Sequence, residues 1–334
     1  MELKPVKDSK RFNDFVNASP LGHIHQTFEW GEIKSHFGWK PLRYIAEDNG
    51  KIVATISLLK TYRKGIPILY ASRGPVLDYS DYNTINFLLP QLRELAKKEK
   101  GFFLRISPAV KRSNEGVIKL LEKNQFHPAR NPQQHQTTMI LKLEGKTSEQ
   151  LLESFHHKHR YNIRLAFKKG MQLKKCSSEE ELAAFYKLMQ QMAKRQKYSL
   201  FPLEFYKTVF HILAPKQMAV LYLAYFEDKL VGGLFNLHFA GRSWYMWGAF
   251  DYEHRKLMAN YGLHWTAIQD ALQKGLKIYD LQGIPEDPDP KSPMWGFYNF
   301  KKGFNGDIVR WIGEFDSCTR FKSLYKLANK LKLV

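Results

Sequence analysis

One order of elements occurs twice in this chain, and that repetition constrains the fold more than anything else in the sequence. Near the start, PLRYIAED reads as a strand, DNGK as a turn and IVATISLLK as a second strand. IPILYASRGPV reads as a further strand. YNTINFLLPQLRELAKKEKG follows as an amphipathic helix stopped by Gly101, and GFFLRIS is the next strand. The series then returns. MAVLYLAYF, LVGGLFNLHF and SWYMWGAF are strands separated by turns at EDK and AGR, YGLHWTAIQDALQKG is a helix stopped by Gly275, and LKIYDLQG is a strand. A helix precedes this second copy. Ser177 and Ser178 lie ahead of Glu180 and Glu181 at capping-box spacing, and Leu182, Phe185, Tyr186, Met189 and Met192 make its apolar face.

A chain of 334 residues accommodates two cores. The repeated order predicts an α/β (α+β) protein of two tandem GNAT-like (acyl-CoA N-acyltransferase) domains. There is no long heptad series, so no coiled-coil arm is expected. The last segment, FKSLYKLANKLKLV, carries Phe321, Leu324, Tyr325, Ala328 and Leu331 at helical spacing with lysines on the other face. Such a helix either docks on the first domain or lies on a membrane surface.

Lys plus Arg number 52 against 32 Asp plus Glu, a formal net charge of +20. That excess points to a polyanionic partner. The two cysteines, Cys176 and Cys318, are far apart and lack CxxC spacing, which argues for a reducing compartment and against a disulfide framework or zinc site. MELKPVKDSKRF has no apolar core of a leader, and no apolar run reaches the ~18 residues of a membrane span, so a cytoplasmic protein is expected.

The segment HHKHRYNIRLAFKKG holds Lys158, Arg160, Arg164, Lys168 and Lys169 and no acid, with Tyr161 and Phe167 interleaved. It reads either as a contact for several phosphates or as a solvated basic face. His156, His157 and His159 have no acidic or cysteine ligand beside them, so no metal is expected. Neither a GxSxG elbow nor a P-loop occurs. The helix start where a GNAT enzyme cradles the pyrophosphate of acetyl-CoA reads RKLMANYG. Arg255 is there, but Met258 and Asn260 stand where small residues are expected, so CoA binding is not expected. An enzyme of this composition works by positioning two substrates and stabilising charge. YNFKKGFNG, at 298–306, sets two lysines in an aromatic run before a glycine turn, and a lysine held against aromatics suits that task.

With these blocks in order, the chain resembles the Fem (FemABX) family of non-ribosomal aminoacyltransferases, which build peptidoglycan cross-bridges from aminoacyl-tRNA. The resemblance runs from SPLGHIHQTFEWGEIK through ASRGPVLD, YNIRLAFKKG, RKLMANYGLHW and YDLQGI to GFYNFKKGFNGDIVRWIGEFD. It follows the short members, FemX-like, that lack the coiled-coil arm. It implies two GNAT-like domains, 1–143 plus 312–334 on the peptidoglycan-precursor side and 144–311 on the aminoacyl-tRNA side, with the closing helix returning to the first. It implies that Lys301, preceded by Phe300, is catalytic and stabilises the oxyanion formed when an amine attacks the aminoacyl ester, an effect of about 3–4 kcal/mol in a water-poor site. Lys34 matches the lysine that binds the precursor diphosphate. The remaining substrate-binding positions are Arg105, Ser107, Phe201, Phe205 and Tyr261, and the basic helix 158–169 falls on the tRNA side. Four positions depart from the short members: Phe201 replaces an arginine, Phe205 a tyrosine, Ser107 a carboxylate and Phe102 a tyrosine. The acceptor pocket is therefore expected to be more apolar, and a lipid-linked acceptor gains ground.

The resemblance implies these partners: aminoacyl-tRNA as co-substrate with no further cofactor, lipid II or UDP-MurNAc-pentapeptide as acceptor, and, for a lipid-linked acceptor, the inner face of the membrane. A monomer is expected. Two other readings stay open: a GNAT-fold N-acyltransferase using acyl-CoA or acyl carrier protein on another amine, and a non-catalytic RNA- or membrane-surface-binding protein.

Overall fold

The computed structural model describes residues 1–63, 65–292, 294–319 and Tyr325. The chain divides into two compact units, 1–136 with 310–334 and 137–309. This division differs from the expected boundary at 143 because the strand Thr137–Lys142 hydrogen-bonds to Ile278–Gly283 in the second sheet. The closing segment 321–331, expected to be a helix, lies outside the described residues apart from Tyr325.

In the first unit, the strand order across the sheet is Glu2–Pro5, Lys40–Asp48, Lys51–Arg63, Ile66–Ala71, Phe103–Ile106, Phe315–Cys318 and His127–Pro128, with Val76–Leu77 pairing separately on Lys51–Arg63. Lys40–Asp48 and Lys51–Arg63 form the hairpin read at DNGK, with Asn49 and Gly50 in the left-handed region. The long strand is buried in a continuous run from Ala54 to Leu59 rather than in alternation. A strand covered on both faces reads that way: the helices Ser9–Ala18 and Phe28–Ser35 pack on it, and the helix Tyr82–Lys98 shares its core through Ile85, Leu88, Leu89 and Leu92.

The stretch IPILYASRGPV is two short strands. Between them Arg73 has φ +56 and the Gly74–Pro75 peptide is cis. Gln26 fills the bend, accepting from Ser57 N at 2.8 Å and donating to Ser72 O at 2.8 Å. A Cβ on Gly74 would strike its amide. Gly101 is not the left-handed stop of the helix. Lys100 takes that conformation, φ +58, and Gly101 is required because a Cβ there would meet Leu69 Cδ1 at 2.5 Å.

Arg105 and Ser107, expected to face substrate, lie in the interior of this unit. Arg105 is 4% exposed and forks onto Asp316, at 2.6 and 2.7 Å, while donating to Asn131 O at 2.9 Å and lying 3.5 Å from Glu314. Tyr325 donates to the same Asp316 carboxylate at 2.7 Å. Ser107 is 1% exposed, and its N–H bonds Ala71 O. Phe102 is buried with Phe103, Ile68 and Tyr325.

In the second unit, seven strands run in the order Asp307–Arg310, Thr137–Lys142, Ile278–Gly283, Arg242–Phe250, Lys229–Phe239, Ala219–Phe226 and Gln172–Lys175. The strands and the helix Ala259–Gln273 match the second copy of the repeated order. Ser178 caps the helix Glu179–Gln196 by accepting from Glu181 N. Glu181 accepts in return from Ser177 N, one residue earlier than a strict box would have it. Gly233 is required where Phe185 of that helix presses on the sheet, since a Cβ there would strike its ring.

Breaking the Arg105 fork leaves buried charge unpaired, which typically costs about 3–5 kcal/mol. Asp316→Ala is expected to lower the unfolding free energy measured by urea titration by that amount. An unchanged unfolding free energy would refute the structural role of the pair.

Candidate active site

The site is built in the second unit, where two parallel strands separate. Arg242–Phe250 and Ile278–Gly283 pair only from Arg242–Trp244 to Ile278–Asp280. Beyond that point the second strand breaks register. Gln282 takes φ +63, and its N–H folds back to Asp280 Oδ1 at 2.7 Å. The break turns the carbonyl of Gly283 toward the helix Trp295–Lys302, where it accepts from Lys301 Nζ at 2.8 Å.

Lys301 is 1% exposed. Its Nζ lies 3.9 Å from the Phe297 ring centroid, one turn earlier, and 5.8 Å from that of Tyr245. Burial pushes its pKa down to about 7, against the pull of Asp280. Among the described residues its one hydrogen-bond partner is Gly283 O. An amine with spare hydrogen-bonding capacity in a cage of rings can aim at a developing oxyanion when protonated and accept a proton when neutral.

The helix that carries Lys301 is held at its end by a histidine. His159 donates from Nε2 to Phe300 O at 2.7 Å, and burial lowers its pKa against the pull of that hydrogen bond. Its ring occupies the place a Cβ would take on Gly303. The Gly303 φ is −67, so close approach and not a turn requires this glycine; Asn305, φ +52, makes the turn. Phe300 stacks edge-on to Tyr261 at 5.1 Å and to Phe304 at 5.3 Å. His264 packs between Tyr245 and Phe300, is fully buried, and has Nδ1 2.9 Å from Tyr279 OH. Burial, helped by Lys301 and His159, lowers its pKa to about 3.

The structure therefore gathers Lys301, Phe300 and Tyr261 in one cluster. Phe205 is 2% exposed and packs on Tyr206 and Trp247, so it is a core residue. Phe201 stacks on it at 4.4 Å and is half exposed. Lys34 belongs to the first unit, in the last turn of Phe28–Ser35. There it lies 5.0 Å from the Trp39 ring, and burial lowers its pKa. The basic helix is His157–Lys168. Lys158, Arg164 and Lys168 are exposed on it, but Arg160 donates to Glu153 O and Phe155 O, and Lys169 donates to Lys256 O.

Sequence reasoning missed His264, Tyr245, Phe297 and the Gly283 carbonyl. The blocks YGLHW and YDLQG held the first and last of these, but a histidine in an apolar helix and a main-chain oxygen carry no pattern of their own. Of the three clustered histidines, His159 proves structural. Among the described residues, the group that could gather three metal-ligating side chains is Asp251, Glu253 and His254, partly exposed and already engaged with Lys229.

Comparisons with known proteins agree with this architecture. Residues 153–301 match the acetyltransferase (GNAT) domain model, and residues 8–127 match the FemAB family model. The solved structure of FemX superposes with a TM-score of 0.90 at 23% identity, covering 98% of this chain and all of that one. A tandem GNAT protein from the clavulanic acid pathway superposes with a TM-score of 0.60 at 13% identity, covering 95% of this chain and 98% of that one. The lipid II:glycine glycyltransferase of Staphylococcus saprophyticus is 26% identical, covering 99% of this chain and 96% of that protein. Its alignment needs 412 positions for a chain of 334 residues, so the relative carries extra segments. The protein is a transferase made of two GNAT-like units. The resemblance to the FemABX family extends along its whole length. No helix among the described residues is long and apolar enough to cross a membrane.

Because the Lys301 pKa is depressed in the fold, the unfolded chain holds more protons between pH about 7 and the ordinary value of 10.5. Stability therefore grows as pH rises through that window, and below pH about 7 the cost of the buried ammonium is complete. Lys301→Met is expected to stabilise the protein at pH 6 by about 1–3 kcal/mol, net of the lost Gly283 hydrogen bond, with the gain fading toward pH 10. Urea titrations at the two pH values check this, and a pH-independent change would refute it. Gly303→Ala, which forces a methyl into the His159 ring, is expected to cost about 1–3 kcal/mol by thermal melt and to lower activity with it.

Proposed function

We propose that this protein is a tRNA-dependent aminoacyltransferase that adds an amino acid to the stem-peptide amine of a peptidoglycan precursor during cross-bridge formation. The observation that carries the reading is Lys301: a buried amine with a single hydrogen bond among the described residues, at the point where two parallel strands part. The relatives named lipid II:glycine glycyltransferase support lipid II as the acceptor class and glycine as the first amino acid to test. The basic helix and the +20 charge support an RNA-borne donor.

In this reading the neutral acceptor amine attacks the ester carbonyl of the aminoacyl-tRNA. The new C–N bond forms as the carbonyl electrons move to oxygen, and protonated Lys301 stabilises that oxyanion, polarised by the Gly283 carbonyl on its far side. Collapse breaks the C–O bond, and the ribose oxygen leaves with the proton the amine loses. Phe300 and Tyr261 wall the site, and His159 fixes the backbone from which Lys301 projects. On the precursor side, Lys34 is the candidate diphosphate contact. Arg105 is engaged with Asp316 in the same unit.

A second reading is a GNAT-fold N-acyltransferase that uses acyl-CoA, and the GNAT model match over 153–301 favours it. The start of the helix Ala259–Gln273 speaks against it. Met258 stands there in the left-handed conformation with no side-chain cap, and the first glycine in the helix, Gly262, packs on Met171. A CoA titration by calorimetry separates the readings.

The test is label transfer from a pool of charged tRNA to lipid II or UDP-MurNAc-pentapeptide, followed by mass shift. RNase is expected to abolish transfer, and Lys301→Met to lower it by about 100-fold or more. The wild-type kcat/KM is expected to rise with pH as the acceptor amine deprotonates and to level above pH about 7 as Lys301 loses its charge. A profile that keeps rising above pH 8 would remove the cationic role.

A further inference from the structure

On the second unit, an exposed tyrosine carries two guanidinium groups that no acid among the described residues neutralises. Tyr252 is 54% exposed. The Arg195 guanidinium lies 4.6 Å from its ring centroid and that of Arg255 lies 4.3 Å away. Arg255 is anchored by donating to Tyr252 O at 3.0 Å. Among the described residues, no carboxylate pairs with either arginine. The nearby acids are otherwise engaged: Asp251 with Lys229 and His254, and Glu253 with Lys229. Two like charges gathered on one exposed ring repel each other, and an anion relieves that repulsion. A flat ring beside guanidinium planes also stacks a nucleobase.

This patch continues in two directions. Lys169, at the end of the basic helix His157–Lys168, donates to the carbonyl of Lys256, next to Arg255. On that helix Tyr161 and Phe167 are exposed beside Arg164 and Lys168. On the other side, Tyr252 lies two residues beyond the end of the strand Arg242–Phe250, whose Tyr245 ring lies 5.8 Å from Lys301 Nζ. The strand that ends beside the exposed patch thus also lines the buried amine.

We infer that Tyr252, Arg195 and Arg255 form the seat for the unpaired 3′ nucleotides of the charged RNA, from which the ester reaches Lys301, while the basic helix holds the phosphates of the adjoining duplex. This rests on the RNA-dependent reading of the function and adds a binding site to it. The division of labour follows from chemistry: stacking on an open ring requires an unpaired base, whereas a lysine or arginine row on a helix takes duplex phosphates without regard to base.

The experiment uses the full chain and two labelled hairpin RNAs, one with a short single-stranded 3′ tail and one blunt, followed by fluorescence anisotropy. The wild type is expected to bind the tailed RNA more tightly. Tyr252→Ala is expected to weaken tailed binding by about tenfold and leave blunt binding unchanged, and Tyr252→Trp to restore it. Arg164→Ala with Lys168→Ala is expected to weaken both RNAs alike. Equal binding of tailed and blunt RNA, or a Tyr252→Ala variant that binds the tail as the wild type does, would overturn the seat while leaving RNase-sensitive transfer intact. Failure to bind either RNA would instead overturn the RNA-dependent reading and the seat with it. A circular-dichroism melt of each variant separates loss of contact from loss of fold.

Discussion

The second unit is organised around the burial of one amine. Lys301 is held against the Gly283 carbonyl and the Phe297 ring, and the surrounding features support that placement. The strand break at Asp280–Gly283 presents the carbonyl, and His159 clamps the helix end. The missing Cβ of Gly303 lets that clamp close. Burying an ammonium is costly, and the lowered pKa is the signature of that cost. Stability is given up at this position in exchange for a group that changes charge near neutral pH.

The first unit places its buried charge differently. Arg105 is matched by Asp316 with two short hydrogen bonds and lies close to Glu314, which in turn accepts from Tyr70 at 2.6 Å and from Gln133 N at 2.8 Å. This network ties Phe315–Cys318, from the far end of the chain, to Phe103–Ile106. Its charges are satisfied inside the protein, which suits a structural role. Lys301, with one hydrogen-bond partner among the described residues, has capacity left for a substrate. The same contrast separates Phe205, packed among aromatic rings, from Tyr252, open to solvent with two arginines.

Much of the architecture could be read from the chain because strands and helices of this kind announce themselves locally. Period-2 and period-3.6 apolar patterns, the Asn-Gly turn and the serine cap at 178 are properties of neighbouring residues, and the doubled order needed only their sequence. Lys301 was legible because a cation within YNFKKGFNG is incongruous. The basic helix was legible as a run without acids. Element ends were less so: Gly101 and Gly303 looked like turn glycines, yet their roles depend on Leu69 and His159, residues remote in sequence.

The sequence by itself determined the two α/β units, the excess of positive charge and the lysine on which the chemistry is proposed to turn, since each depends on composition or short-range periodicity. Only the tertiary structure decided which polar residues are spent on the fold and which remain available. Arg105 and Arg255 are the same residue type in the sequence. Pairing across strands commits the first to Asp316, and exposure beside Tyr252 leaves the second without an acid among the described residues. That distinction is set by contacts between segments as much as 211 residues apart, and no local pattern encodes it.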